Sequence, residues 1–289
     1  MKKVISIALA LLMVAVMLPV MAMAEGTTLQ SRIDAGETTI TLTENVTESI
    51  TIPAGKTVTL NLNGNTLTNE ADKDTITVAL GGTLTIEGTG TVDNVSHGRA
   101  AVYNNGTVTI NGGTFEGGKI TIKNDDGGIL EINNGMFTNS GNRVVFNANK
   151  AEINGGEFYC PATYFGNEIA VDTLYADGGQ NAGQLTITGG TFDGKVTQSN
   201  GAVTTVSGGT FKKGVDKSYI VDGKKLDANG NVVPETITII VPSDGGNTTT
   251  TPSTDNTKNP STGANDFVGV AAAMAVVSLL GAAAVIRKK

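Results

Sequence analysis

Asp125 and Asp126 are adjacent carboxylates, and His97, set between Ser96 and Gly98-Arg99, is the single histidine of the chain. Acid–base cleavage of a glycosidic bond uses such groups, provided two carboxyls stand at a defined separation across one sugar. The same residues have a plainer reading. Asp125-Asp126-Gly127-Gly128 has the composition of a turn in which Asp side chains satisfy backbone donors, and His97 beside a glycine suits a surface turn. Asp72, Asp74 and Asp93 would serve a calcium-assisted reaction if several acids converged on one face. Cys160, the single cysteine, has no partner for an internal disulfide, and beside Pro161 it reads as buried. One His and one Cys cannot build a His-rich metal site or a multi-cysteine zinc site. Carboxylate chemistry is what the composition leaves open, with neither metal nor cofactor expected. A second set of residues points to binding: Tyr159, Tyr164, Phe165 and Tyr175, whose rings could stack on sugars or peptide side chains.

The elements that position these residues come from an internal repeat. Val108-Thr-Ile-Asn-Gly-Gly-Thr-Phe115 returns at Leu130–Phe137, Ala151–Phe158, Leu185–Phe192 and Thr204–Phe211, with Phe-to-Phe steps of 22, 21, 34 and 19 residues. Val58–Gly64 and Leu84–Gly88 carry a looser version. Within a unit apolar and polar residues alternate, as in a strand with one buried face. Gly112-Gly113 then permits a bend with positive φ, after which Phe115 can turn back inside. Units of about twenty residues holding two or three short strands predict an all-β, single-stranded parallel β-helix over residues 25–218. Roughly nine coils at ~4.8 Å would give a stack of about 45 Å. A series of β-sandwiches is the alternative, although sandwiches rarely repeat one octapeptide at a near-constant step. Beyond Phe211 the pattern fades. Tyr219–Leu226 and Thr236–Val241 suggest a terminal β-hairpin or cap over 219–241, followed by a flexible Thr/Ser/Gly linker at 242–258.

The 34-residue step adds about thirteen residues after Phe158, and three of the five tyrosines fall there. Loops leaving a regular scaffold are where binding residues gather, although a local apolar cluster fastening the loop to the coil is the simpler reading of the same residues. Thr-x-Thr recurs at Thr39/Thr41, Thr57/Thr59, Thr75/Thr77, Thr83/Thr85 and Thr107/Thr109. Flat Thr ladders on β-helices resemble those of ice-binding proteins, but Thr is also a good outward strand residue, and unequal coil lengths are expected to spoil a flat lattice.

The fold so derived resembles the pectate-lyase-like parallel β-helix, the usual scaffold of pectin-cleaving enzymes. In polygalacturonases the resemblance would require Asn-x-Asp, an Asp pair, Gly-His-Gly and Arg-x-Lys in that order. Here His97 precedes Asp125-Asp126, and Arg-x-Lys is found only in the basic tail, as Arg287-Lys288-Lys289, outside the repeats, so a lyase or glycoside hydrolase is the alternative to binding rather than the first expectation.

Both ends carry sorting signals. Lys2 and Lys3 precede an uncharged apolar stretch from Val4 to Ala24 that closes on Ala22-Met23-Ala24, a signal peptide (1–24) to be cut between Ala24 and Glu25. An uncleaved anchor is the other reading of that stretch. Phe267–Ile286 is twenty residues without a charge, enough as a helix to cross a hydrocarbon core of ~30 Å. The basic tail Arg287-Lys288-Lys289 orients the preceding chain outward. Immediately before the span, Asn259-Pro260-Ser261-Thr262-Gly263 resembles the sorting signal of Gram-positive surface proteins recognised by sortases, usually Leu-Pro-x-Thr-Gly before an apolar span and a basic tail. The resemblance covers residues 259–289. It implies that a sortase attacks the carbonyl of Thr262, removes Gly263 onward and transfers the chain to cell-wall peptidoglycan. Asn259 in place of Leu leaves the sortase class open, and a permanently membrane-held protein is the alternative.

Processing at both ends removes five of 20 basic and one of 27 acidic residues, leaving 15 against 26, a net charge of −11. With no basic cluster in the middle of the chain, nucleic acid is excluded as a partner. The sequence thus predicts an extracellular, wall-anchored protein displaying a β-helical rod for adhesion, with a glycan or a host protein as its ligand.

Overall fold

The structure, a computed structural model, describes residues 27–161, 168–174, 182–199 and 201–236. The chain divides into one compact unit ending at Glu235 and a second from Thr236 onward. Of the second, only Thr236 is among the described residues. The expected signal segment with its Ala24/Glu25 boundary, the expected linker at 242–258, the Asn259–Gly263 motif and the expected span at 267–286 all lie outside them. No helix among the described residues is long and apolar enough to cross a membrane.

The first unit is a right-through parallel stack. Three sheets, of eight, eight and seven strands, are each built from every third strand of the chain, and every pairing within them is parallel. Each coil therefore contributes one strand to each sheet in turn. There are seven complete coils and a partial eighth, not the nine expected, because the first described residues form a helix and the last a hairpin. Seven intervals of ~4.8 Å make the stack about 34 Å high.

The alternation that marked strands is what sets the register. In the first sheet Ile86, Ile110, Ile132, Ile153 and Ile187 are direct partners on successive coils, and all five are fully buried. In the second sheet Phe115, Phe137, Phe158, Phe192 and Phe211 form an interior column. Their rings stack face over face at centroid distances of 5.0, 4.8, 4.8 and 4.8 Å, the spacing of the strands themselves. Between the two sheets the Gly-Gly corner does what its composition requires. Gly113 has φ +96°, and a Cβ there would come within 2.8 Å of Leu62.

The third sheet holds an interior column that the octapeptide does not contain. Asn104, Asn124 and Asn147 close successive third-sheet strands Ala100–Asn104, Ile120–Asn124 and Arg143–Asn147. All three are fully buried. Asn104 Nδ2 donates to Asn124 Oδ1 at 2.7 Å, and Asn124 Nδ2 to Asn147 Oδ1 at 2.8 Å. Remaining amide protons reach the carbonyls of Ile129, Lys150 and Gln184, on the strands that open the first-sheet segment of the following coils. A buried carboxamide is tolerated only when its donors and acceptor are matched, and stacking one per coil achieves this.

Each end of the stack carries a covering element. The helix Leu29–Asp34 buries Leu29 and Ile33 against the first coil. Its leading amides, Leu29 and Gln30, donate to the Glu48 carboxylate at 2.8 and 2.9 Å. The Gln30 side chain accepts from the Thr51 amide at 2.7 Å and donates to the Thr51 carbonyl at 3.1 Å, occupying the open edge of the third sheet's first strand. At the other end, Val221 donates to Val206 O, Gly230 O accepts from Phe211, and Val232 donates to Gly209 O. The antiparallel hairpin pairs Lys224–Leu226 with Val232–Pro234. Its second arm lies upstream of the 236–241 run that the sequence pattern favoured, and residues 237–241 lie outside the described residues.

Unequal coil lengths do not disturb the first sheet. Thr57, Thr83 and Thr107 are aligned, as are Thr39, Thr59, Thr85 and Thr109. The expected spoiling of the Thr array is therefore wrong in the first four coils, since the extra residues leave through the corners. The array ends at the fifth coil, where Ile129 and Glu131 take those positions.

Candidate functional site

The acids and aromatics singled out from the sequence fall on different corners. Asp125 lies in the turn leaving the third sheet, where Gly128 N donates to Asp125 O at 2.8 Å. His97 is exposed in the turn between the second and third sheets, closed by Arg99 N to Ser96 O at 3.2 Å. The fold does not bring His97 and the Asp125-Asp126 pair to one corner. The Asp125 carboxylate is also already engaged. It accepts from Tyr103 Oη at 2.8 Å and from Lys123 Nζ at 2.7 Å, with Lys123 over the Tyr103 ring at 4.7 Å. Burial pushes this carboxyl up, but the Lys123 and Tyr103 hydrogen bonds outweigh it and leave it below the usual carboxylate range. Burial, then the Asp125 hydrogen bond, push the Tyr103 hydroxyl up to about 12. A carboxylate already engaged by a cation and a phenol is not poised to donate a proton, so the arrangement favours a structural clasp at Asp125 over a general acid. One coil on, the same outer face repeats the arrangement: Arg143 pairs with Asp172, whose other oxygen accepts from Thr197 at 2.8 Å.

The inserted stretch after Phe158 is not a single loop. Ile169–Thr173 within it is a strand of the third sheet, paired on both sides. Ile169-Ala170-Val171 is a short apolar run within the insertion, rich in β-branched residues, and this was the signal to read, although its register to the next strand shifts between Ile169 and Val171. Tyr164, Phe165 and Tyr175 lie outside the described residues. Tyr159 does not: it is 49% exposed at the end of the second-sheet strand Glu157–Tyr159. Cys160 beside it is buried, its Sγ 3.7 Å from Asn142 O, and burial pushes its thiol up, which makes it a poor nucleophile.

Tyr159 stands at one end of a cleft of about 390 Å³ on the outer face of the second sheet. Asp93 and Glu116 stand at the other end. They are direct partners on the neighbouring strands Thr91–Asn94 and Thr114–Gly117, as Thr138 and Tyr159 are further along. One outward column, a residue per coil, thus runs acid, acid, hydroxyl, phenol. The floor is firm. Asn139 is buried, its Nδ2 donating to Gly117 O and Thr121 Oγ1 at 3.1 Å and its Oδ1 accepting from the Gly141 and Asn142 amides. The Phe stack lies beneath. Burial raises the Asp93 carboxyl, against the lowering pull of the Asn94 amide. Among the described lining residues there is no Lys or Arg.

Neither Glu116 nor the cleft was visible in the sequence, where Asp93 stood as an isolated acid 23 residues away. Asp72 and Asp74 do not join them. Asp74 instead caps the next coil by accepting from the Ala100 amide at 2.7 Å. Among the described residues no three His, Cys, Asp or Glu side chains group as a metal site would require, which leaves the calcium-assisted chemistry without support. No known protein family, curated protein or solved structure matches the chain.

Proposed function

We propose that this is an exported, wall-linked surface protein that uses the second-sheet cleft to bind an extracellular glycan. The observation that carries the reading is Tyr159. It is a half-exposed aromatic ring at the rim of a cleft whose other groups are sugar-hydroxyl acceptors and donors, the usual complement of a carbohydrate site. Display outside the cell rests on the two terminal segments: the apolar leader ending at Ala24, and the Asn259–Gly263 motif with its span and basic tail. Sortase and peptidoglycan are the partners this implies. The test is a glycan screen of the intact chain spanning plant, mucin and bacterial sugars. Binding that falls at least tenfold in Tyr159→Ala, with unfolding unchanged, supports the reading. Equal binding by the variant, or none by either protein, overturns it.

A second reading keeps one specific observation in its favour. Asp93 and Glu116 are direct partners on adjacent coils, so two carboxylates stand side by side in the cleft, and a carboxylate pair is what glycoside cleavage uses. Asp93, with its raised pKa, would be the proton donor and Glu116 the nucleophile. Release of reducing ends from a bound glycan, lost in both Asp93→Asn and Glu116→Gln, would move the assignment from binding to hydrolysis.

A further inference from the structure

Six Asn-Gly steps fall among the described residues, at Asn63, Asn105, Asn111, Asn134, Asn154 and Asn229. The repeat places most of them at coil corners, and the fold treats them very differently. At five, the glycine amide or the asparagine side chain is committed elsewhere. Gly64 N donates to Thr89 O and Gly230 N to Asp227 O. Gly106 N is held by Asn104 Oδ1 at the head of the buried Asn column. Asn111 and Asn154 are tied into an outer ladder: Asn133 Nδ2 donates to Asn111 Oδ1, Asn154 Nδ2 to Asn133 Oδ1, and Thr188 Oγ1 to Asn154 Oδ1, at 3.0, 3.0 and 2.6 Å.

Asn134 is the exception. It is exposed, and the nitrogen that follows it, Gly135 N, lies 2.9 Å from its own Oδ1. The backbone nitrogen is thus folded back onto the side-chain amide of the preceding residue, against the oxygen that Cγ carries. Gly135 has φ +133°, an orientation open to a residue without Cβ. Proximity of this kind is what turns a slow intramolecular attack into a fast one.

From this geometry we infer that Asn134 is a site of spontaneous deamidation, with water as the co-reactant. Gly135 N, having lost its proton to solvent base, forms a bond to Asn134 Cγ. The bond from Cγ to the side-chain nitrogen breaks, and that nitrogen leaves as ammonia with a proton from solvent. Water then opens the five-membered imide at either carbonyl, giving aspartate or isoaspartate. Nothing is oxidised or reduced. The product lies on the groove of about 450 Å³ along the Gly-Gly corners, whose lining includes Asn134 and Glu157, and adds a second carboxylate there. The isoaspartate branch also lengthens the main chain just before Gly135, whose carbonyl accepts from Glu157 N of the next coil at 2.9 Å.

The test is timed incubation of the intact purified chain at mildly alkaline pH. Fragment-resolved mass spectrometry reads deamidation at each Asn-Gly step, and isoaspartyl methyltransferase labelling reads the rearranged product. Asn134 should deamidate severalfold faster than the other five in the folded chain, and that lead should disappear in urea, where all six have the same local sequence chemistry. Asn134→Gln should remove the fast phase. A folded-state rate at Asn134 no greater than at Asn105 or Asn111, or a lead that persists unchanged in urea, overturns the inference.

Discussion

Two outer faces of one solenoid handle charge in opposite ways. On the third sheet two ion pairs are closed within the face: Lys123 with Asp125, and Arg143 with Asp172, the first pair braced by Tyr103 and the second by Thr197. On the second sheet Asp93 and Glu116 sit side by side with no cation lining their cleft among the described residues, although Asp193, beyond Tyr159 in the same column, is paired with Lys212. Like charges on neighbouring strands cost stability. A face whose charges are mutually satisfied holds the coils together. The adjacent acids of the cleft have no such cation, and under the proposed reading that contrast separates scaffold from site more sharply than residue type does.

Three changes probe this contrast, in descending order of effect. Phe137→Ala removes a fully buried ring from the stack under the cleft and should destabilise by about 3–5 kcal/mol, read by denaturant unfolding. A loss below about 1 kcal/mol would mean that the stack does not support that face. Asp125→Ala leaves Tyr103 and Lys123 half-buried without their acceptor and should cost about 1–2 kcal/mol at neutral pH. Because the Asp125 carboxyl is depressed in the fold, its contribution is present above the ordinary carboxylate range and is lost as pH falls through its own lower value. The wild-type advantage over the variant should therefore vanish in acid, and an advantage independent of pH would contradict the clasp. Asp93→Asn should do the reverse by less than about 1 kcal/mol. Burial raises this carboxyl, so its ionisation costs stability at neutral pH and costs nothing in acid. The variant should melt slightly higher than wild type at neutral pH, equally in acid, and should bind glycan less well. A variant that melts lower at neutral pH would show that Asp93 is a structural residue.

The interior was legible where a column is made of one residue type at the same place in an octapeptide. The Phe stack, the Ile column and the Gly corners follow from alternation and from the two periods of turn and strand. The Asn column was harder to read, because Asn104, Asn124 and Asn147 close a third strand whose neighbours, Tyr-Asn-Asn, Lys-Asn-Asp and Phe-Asn-Ala, share nothing else. The opening helix was missed for a related reason. Leu29-Gln-Ser-Arg-Ile33 offers only one apolar pair at helical spacing, and its stability comes from Glu48, nineteen residues on. The cleft required register above all. Asp93 and Glu116 become neighbours only because Val92 pairs with Phe115, and a slip of one residue would turn both acids inward.

The carboxamide of Gln30 stands in for a missing strand. A parallel stack with identical rungs is, at its ends, a seed for its own elongation, and a bare terminal strand would accept an extended segment from any molecule nearby. By supplying one donor and one acceptor at Thr51, a single flexible side chain writes the stop into the first coil. At that strand the length of the stack is thereby fixed by the gene rather than by concentration.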